Sequence, residues 1–348
     1  MKYLMVVFAL VLAVPASAWA QDSKPNTLSE LAKYKGPDRE RILYEGAKKE
    51  GKLVWYTSLV PHKHIAKVFE AKYPGVAVDV YRAAGSTLAT RLVEETQAKR
   101  YLADAIESTP PQLMLLRDIQ ALLPYSSPHL ASYPDVAKET ASGDLVFWTT
   151  DRESLIGVGY NKNVMAAADI PKKFDDLLNP KLKGKMSTAN NETGARAIGA
   201  MLKAKGEGFF KKLKQQNIRP HATTAAGLAR LIISGEAPIS FTMVQTNLTQ
   251  PAATKGAPVG WVPMEVVAVN AGSAAVLAHA PHPHAALLFV DFLIGPDGQK
   301  MYSEQLFYGS AAKASGYERW YPEKGLTTQE YEKRADGWLE LLQEITRN

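Results

Sequence analysis

Leu53-Val54-Trp55-Tyr56-Thr57-Ser58 is a run of four apolar residues that ends on two small hydroxyl residues. Its composition is that of a short strand buried on both faces of a parallel sheet. Beyond it, Ile65, Val68, Phe69 and Tyr73 recur at helical spacing and stop at Pro74-Gly75. Val76 to Tyr81 reads as a second strand, and Gly85-Ser86-Thr87 opens a helix carrying Leu88, Leu92 and Val93. Leu102 to Ile106 reads as a third strand, ending at Glu107-Ser108-Thr109. This alternation predicts an α/β fold built on an open parallel sheet.

Three successive strand ends therefore carry small polar residues: Thr57 and Ser58, then Ser86 and Thr87, then Ser108 and Thr109. Parallel sheets bind ligands beyond the carboxyl ends of their strands, where helix N-termini offer free N–H groups. Ser and Thr also cap helices throughout proteins, so each residue alone has a structural reading. Their concurrence on one sheet edge makes that edge the candidate binding face.

Farther on, Phe147-Trp148-Thr149 and Ile156 to Asn161 read as two extended segments leading out of the first α/β region. Gly157 and Gly159 lack the third glycine and the strand-to-helix turn of a dinucleotide fingerprint. A second α/β region follows from about Asn163 to Gly256. It contains a strand near Met186-Ser187-Thr188, a helix opening over Asn190 to Ala195, a helix at Leu228-Leu231-Ile232, and a strand over Ile239 to Met243. Strands return at Val259 to Val262 and Val266 to Val269. Ala285 to Ile294 is a helix apolar almost all round, and Thr327-Thr328-Gln329-Glu330 is a capping box that starts a last amphipathic helix.

Composition bounds the function. The chain has 348 residues, 46% of them hydrophobic, 41 Lys+Arg against 35 Asp+Glu, and no cysteine. Disorder, disulfides, thiolate metal sites and a catalytic cysteine are excluded. A net charge of +6 spread over this length gives no nucleic-acid footprint. Lys2, the apolar run Leu4 to Val14 and the small-x-small site Ala18-Trp19-Ala20 form a secretory signal peptide over residues 1–20. The run is too short to span a bilayer of ~30 Å as a helix. The mature protein is expected to be exported, soluble and periplasmic.

The order of motifs resembles a known family. Leu53 to Ser58 and Phe69-Glu70-Ala71-Lys72-Tyr73-Pro74 are followed by Gly159-Tyr160-Asn161 and Asp176-Leu177-Leu178-Asn179-Pro180-Lys181. Then come Gly235-Glu236, Lys255-Gly256-Ala257-Pro258-Val259 and His282-Pro283-His284-Ala285-Ala286 running on to Gly298-Gln299. This series is similar to the extracellular solute-binding proteins of ABC importers, in the ferric-iron-type group. The resemblance implies a two-lobed periplasmic-binding-protein-like fold (type II), with a ligand cleft between lobes joined by crossing strands. It places the first lobe at 21–148 and 264–348, the second at 160–258, and the hinge strands at 149–159 and 259–263.

The resemblance also implies where ligands sit. Ferric binders of the group use a His after the first strand, a Glu after the third and two adjacent Tyr; here those positions read His62, Thr109 and Thr246-Asn247. A hard trivalent ion requires anionic oxygens, which Thr and Asn do not supply. The anion part of the group's site carries over as Thr193-Gly194-Ala195 at a helix N-terminus, with Thr224 and Gln245 nearby. The expected ligand is a small anionic organic solute: a phosphate ester, phosphonate or carboxylate. Its contacts are expected from Thr57, Ser58, Ser86, Thr87, Ser108, Thr109, Tyr160, Thr193, Gly194, Ala195, Thr224, Gln245, Asn247 and Glu265. Arg82, Arg152 and Arg196 are candidate charge partners, because guanidinium matches carboxylate and phosphate geometry.

Iron(III) or a ferric chelate is the alternative ligand, and a secreted enzyme or a ligand-sensing partner of a membrane receptor is the alternative class. No Gly-x-Ser-x-Gly elbow, Walker loop or His-Glu-x-x-His motif occurs, and no enzyme activity is expected. No cofactor and no bound metal are expected. His279, His282 and His284 lie among prolines at the start of a buried helix, where a capping role outweighs metal ligation. The expected partners are the small-molecule ligand and an inner-membrane ABC permease, with no nucleic acid, and the expected state is a monomer.

Overall fold

The computed structural model describes residues 25 and 27–347; the expected signal peptide lies outside the described residues. Twelve strands occur among them: β1 (Lys52–Thr57), β2 (Ala77–Arg82), β3 (Ala105–Ser108), β4 (Leu122–Leu123), β5 (Lys138–Thr140), β6 (Val146–Asn161), β7 (Met186–Ala189), β8 (Arg219–His221), β9 (Ile239–Val244), β10 (Val259–Val262), β11 (Val266–Leu277) and β12 (Glu318–Trp320). They join in the order β2-β1-β3-β11-β6-β9-β7-β8, with β4 and β12 added to β11 and β5 and β10 added to β6.

The two ends of this order are parallel, β1 with β2 and β3, and β7 with β8 and β9. The middle is antiparallel: β11 runs against both β3 and β6, and β6 runs against β9. Thus β6 and β11 are the long strands shared by the two α/β halves of a two-lobed α/β fold.

The third strand runs over Ala105–Ser108 rather than Leu102 to Ile106, and two further strand expectations change. The segments around Phe147 and Ile156 are one strand, continuous through Asp151-Arg152-Glu153. Strand β11 does not end at Val269 but continues to Leu277. In both places polar or small residues interrupt the apolar pattern, and partners from distant parts of the chain keep the strand buried.

Two clusters of buried side chains cover opposite faces of the first half. Tyr56 and Ile106 face Leu88, Leu92 and Leu113, whereas Trp55 and Ala105 face Phe69 and Phe289. The helix Pro283–Ile294 is buried from Ala285 through Ile294, as its almost wholly apolar composition requires, and its one acid, Asp291, pairs with Arg39 at 2.7 Å. Phe289 packs edge-on against Trp55 and Phe69, at 4.9 and 5.0 Å between ring centroids. Each such ring contributes about 1.5–3 kcal/mol of burial.

The last helix, Thr328–Thr346, starts from the expected Thr327/Glu330 capping box. It packs on the helix Glu192–Lys205, where Gly199 leaves room for Trp338 and Trp320. Those two indoles meet edge-on at 5.4 Å. The segment expected with the first lobe at 264–348 therefore ends in a helix that packs on an element of 160–258.

Candidate functional site

The carboxyl ends of β1 and β3 meet the middle of β11 and β6. Thr57 lies opposite Glu107 across β1 and β3, and Glu107 lies opposite Ala274 of β11. Glu107 is fully buried. Its Oε2 accepts from Thr57 Oγ1 at 2.7 Å and its Oε1 lies 3.0 Å from Arg152 Nη2. Arg152 also donates from Nη1 to Ser154 Oγ at 3.2 Å, and its guanidinium lies 5.1 Å from the Tyr308 ring centroid. A Cβ at Gly272 would stand 2.5 Å from both Arg152 Nε and Glu107 Oε1, so glycine is what allows the pair to lie on β11.

A bulge aims Arg152. Gly272 pairs with Arg152 but Ser273 pairs with Thr150, which leaves Asp151 as the extra residue on β6. Tyr302 donates its hydroxyl to Asp151 Oδ2 at 2.5 Å, and Gln299 Nε2 donates to the Asp151 carbonyl at 2.6 Å. Burial, reinforced by the Glu107 charge, pushes the Asp151 carboxyl up to about 7. Burial works against the Arg152 charge, but the adjacent Glu107 carboxylate outweighs it and holds the guanidinium protonated. Ser108 Oγ, Asp151 Oδ1 and Arg152 Nε are buried in this region without a hydrogen-bond partner, and Glu107 Oε1 has only its ion pair with Arg152.

The second half brings its strand ends toward the same strand. Gln245, directly after β9, donates its N–H to the Leu155 carbonyl of β6 at 2.8 Å. Asn247 lies half-buried in the first turn of the helix Thr246–Lys255. Strand β7 ends at Ala189, and Asn191 then caps the helix Glu192–Lys205. Its Oδ1 accepts from the N–H groups of Thr193 at 2.9 Å and Gly194 at 3.3 Å. Gly194 is sealed from above: a Cβ there would collide with the Ala189 carbonyl oxygen and stand 2.7 Å from Leu342 Cδ2. Ala195 is buried, and Arg196, buried too, pairs with Glu192 at 2.8 Å.

Among the residues expected from sequence, Thr57, Ser58, Ser108 and Thr109 come together at the β1/β3 ends. Ser58 donates its N–H to the Glu107 carbonyl at 3.3 Å, and Thr109 Oγ1 bonds Gln112 Oε1. Ser86 and Thr87 are exposed and line a cavity of about 700 Å³ with Tyr81, Thr90, Arg91 and Arg100. Thr224 is an N-cap whose Oγ1 accepts from Gly227 N at 3.0 Å. Tyr160 lies at the far end of β6, where its ring covers Gly260. Glu265 accepts from Phe174 N at 2.7 Å and pairs with Lys205 at 3.0 Å, a tie between segments.

The histidines have other partners. His282 Nδ1 bonds Asp104 and His284 Nδ1 bonds Glu50, at 2.8 and 2.7 Å, which fastens the start of the buried helix Pro283–Ile294. His62 Nδ1 lies 3.0 Å from the Leu59 carbonyl. Among the described residues, no group of three or more His, Asp or Glu side chains is placed to hold a metal.

Sequence reasoning missed Glu107, Asp151, Tyr302, Tyr308 and Asn191. A signal for one of them was present: Asp151 belongs to Asp151-Arg152-Glu153, which stands between two segments read as extended, and three consecutive charges there require buried partners.

The sequence matches the bacterial extracellular solute-binding protein family over residues 61–307. A Haemophilus influenzae protein known only as an uncharacterized protein is 25% identical over 269 residues, 73% of this chain and 76% of its own. Iron-bound HitA from Pseudomonas aeruginosa superposes with a TM-score of 0.64 and 21% identity, over 85% of this chain and 99% of that one. AfuA from Actinobacillus pleuropneumoniae, with exogenous fructose-6-phosphate bound, gives 0.61 and 21%, over 84% and 99%. A putative extracellular solute-binding protein from Bordetella parapertussis gives 0.69 and 17%, over 86% and 100%. At these identities the superpositions show the shared two-lobed fold, and the sequence match gives the family: the chain belongs to the bacterial extracellular solute-binding proteins.

Proposed function

We propose that this protein is the periplasmic solute-binding component of an ABC importer, exported by a cleaved signal peptide at residues 1–20. It works as a monomer, closes two lobes over a small anionic organic solute and delivers it to an inner-membrane permease. The first lobe comprises 21–148 and most of 264–348, the second 160–258, and the crossings lie at 149–159 and 259–263. The helix Thr328–Thr346 moves with the second lobe, on whose helix Glu192–Lys205 it packs.

The observation that carries the reading is Arg152. It is a buried guanidinium on a crossing strand, at the strand ends of the first half, with an unpartnered Nε donor. Carboxylate and phosphate oxygens suit that donor. The same geometry weighs against bare ferric ion, because Glu107, the one carboxylate at the β3 end, is already shared between Arg152 and Thr57. A ferric chelate is the second reading. It presents carboxylate oxygens rather than the metal, and one superposing protein, from Trichodesmium, holds iron together with citrate.

The test is a thermal-shift screen of the mature protein against inorganic phosphate, fructose 6-phosphate, phosphonoacetate, citrate, and ferric salts with and without citrate. A ligand at ~100 times its dissociation constant stabilises the fold by about 2.7 kcal/mol. Stabilisation by an organic anion, with the ligand recovered unchanged, supports the reading. Stabilisation by free ferric ion alone overturns it, and chemical turnover of the ligand would make the protein an enzyme.

A further inference from the structure

The positive charge of the chain is concentrated in one half. Residues 160–258 hold 15 Lys+Arg against 6 Asp+Glu, whereas the rest of the chain holds 26 against 29. Within that half, lysines gather at the amino ends of the parallel strands β7 and β8, opposite the carboxyl ends that Asn191 and Thr224 follow. Lys185 stands directly before β7, and Lys214 closes the helix Gly208–Lys214 that precedes β8. The Gly184 N–H donates to the Gln216 carbonyl at 2.8 Å, which sets the turn of Lys183 and Lys185 beside the end of that helix. The helix buries Phe209, Phe210 and Leu213 and leaves Lys211, Lys212 and Lys214 exposed. Lys173 joins the same pole. The Asp175 carboxyl is held below its usual range first by its hydrogen bond to Lys205, and then by the charges of Lys205, Lys173 and Lys212.

Among the described residues, none of Lys173, Lys183, Lys185, Lys211, Lys212 and Lys214 has an ion-pair partner, because the acids nearby are engaged elsewhere. Asp175 pairs with Lys205 at 2.8 Å, Asp169 pairs with Lys181 at 3.0 Å, and Asp176 accepts from the N–H groups of Lys172 and Lys173. On one flank, Glu340 and Glu344 of the last helix share a groove with Lys211 and Lys214, a groove that does not extend to Lys173, Lys183 or Lys185. Three segments remote in sequence thus bring unpaired like charges together, and their mutual repulsion is relieved by an anionic surface. The residue types indicate which surface. Protein interfaces are enriched in aromatic residues and arginine and depleted in lysine. Here all six are lysines, and the aromatic residues of the same segments, Phe174, Phe209 and Phe210, are buried. Long ammonium side chains without an apolar centre suit a diffuse layer of phosphate head groups.

We propose that this lysine pole docks the protein on anionic phospholipid head groups at a membrane surface. The attachment is peripheral and electrostatic. Because the pole lies at the amino ends of β7 and β8, docking leaves the carboxyl ends of those strands uncovered. The inference does not depend on which solute the protein takes.

The experiment measures co-sedimentation of the mature protein with vesicles of phosphatidylglycerol and of phosphatidylcholine, at low salt and at ~0.15 M salt, where charges are screened beyond ~8 Å. The triple variant Lys211→Gln, Lys212→Gln, Lys214→Gln removes half of the pole. A second triple variant, Lys33→Gln, Lys49→Gln, Lys67→Gln, removes the same charge from exposed helix positions of the first half. Melting temperatures serve as the folding control for both. Expected are wild-type binding to phosphatidylglycerol that weakens with salt and no binding to phosphatidylcholine. The first variant should lose about 100-fold in affinity and the second less than about threefold. Equal losses in the two variants overturn the assignment to this pole, and absence of wild-type binding at low salt overturns the inference altogether. Retention on immobilised poly-glutamate without binding to vesicles overturns it too, and makes an acidic protein the partner.

Discussion

Arg152 and Glu107 stand 3.0 Å apart on β6 and β3, two strands that are separated in the sheet by β11, and they meet across its Gly272. Both are almost wholly buried, so neither charge is stable without the other. Arg152→Met leaves Glu107 as an uncompensated buried carboxylate and is expected to cost about 3–5 kcal/mol in urea unfolding. A loss under about 1 kcal/mol would mean that water reaches the pair.

Gly272→Ala tests the same contact from the backbone side. The new methyl would stand 2.5 Å from both charged groups, so the pair must separate or β11 must shift. Expected is a destabilisation of about 1–3 kcal/mol together with weaker binding of whichever anion the wild type takes. Normal stability and affinity would show that Arg152 swings aside without consequence.

Stability is expected to rise as the medium becomes mildly acidic. The folded Asp151 carboxyl is pushed up to about 7, whereas an unfolded Asp titrates near ~3.9. Between those values the folded state holds a proton that the unfolded state has released, so stability falls as pH rises through the window. Glu323, also raised to about 7 by burial against the opposing effect of Arg196, acts with the same sign. Urea unfolding at pH 5 should therefore give a larger free energy than at pH 8. The double variant Asp151→Asn, Glu323→Gln should flatten the difference, and an unchanged slope in that variant would contradict the assignment.

Asn191→Ala removes the side chain that caps Glu192–Lys205. The Thr193 and Gly194 N–H groups lose their acceptor, and the expected cost is about 1 kcal/mol, read from the urea midpoint at constant m-value. If the variant instead gains affinity for phosphate, the second-lobe turn is a usable anion site once its own cap is gone.

Much of the frame was legible in the sequence because it depends on local pattern. The apolar run at Leu53, the helical spacing of Ile65, Phe69 and Tyr73, and the capping box at Thr327 each became the element they suggest. The strand ends that carry Thr57 and Ser108 followed from that alternation, as did the family from the order of short motifs.

What local pattern could not show is which polar groups survive burial, and in whose company. Asp151, Arg152 and Glu153 look like the end of a strand, yet Tyr302, Glu107 and Arg319 hold them inside one. Thr193 and Gly194 look like open donors, and Asn191, two residues before Thr193, takes their N–H groups once the chain turns. A buried charge or N–H is stabilised only by a partner at hydrogen-bond distance, and that distance is fixed when strands remote in sequence pack side by side. The amino-acid order determined the elements and the family. The tertiary structure decided which of the candidate polar residues remain free to meet a solute.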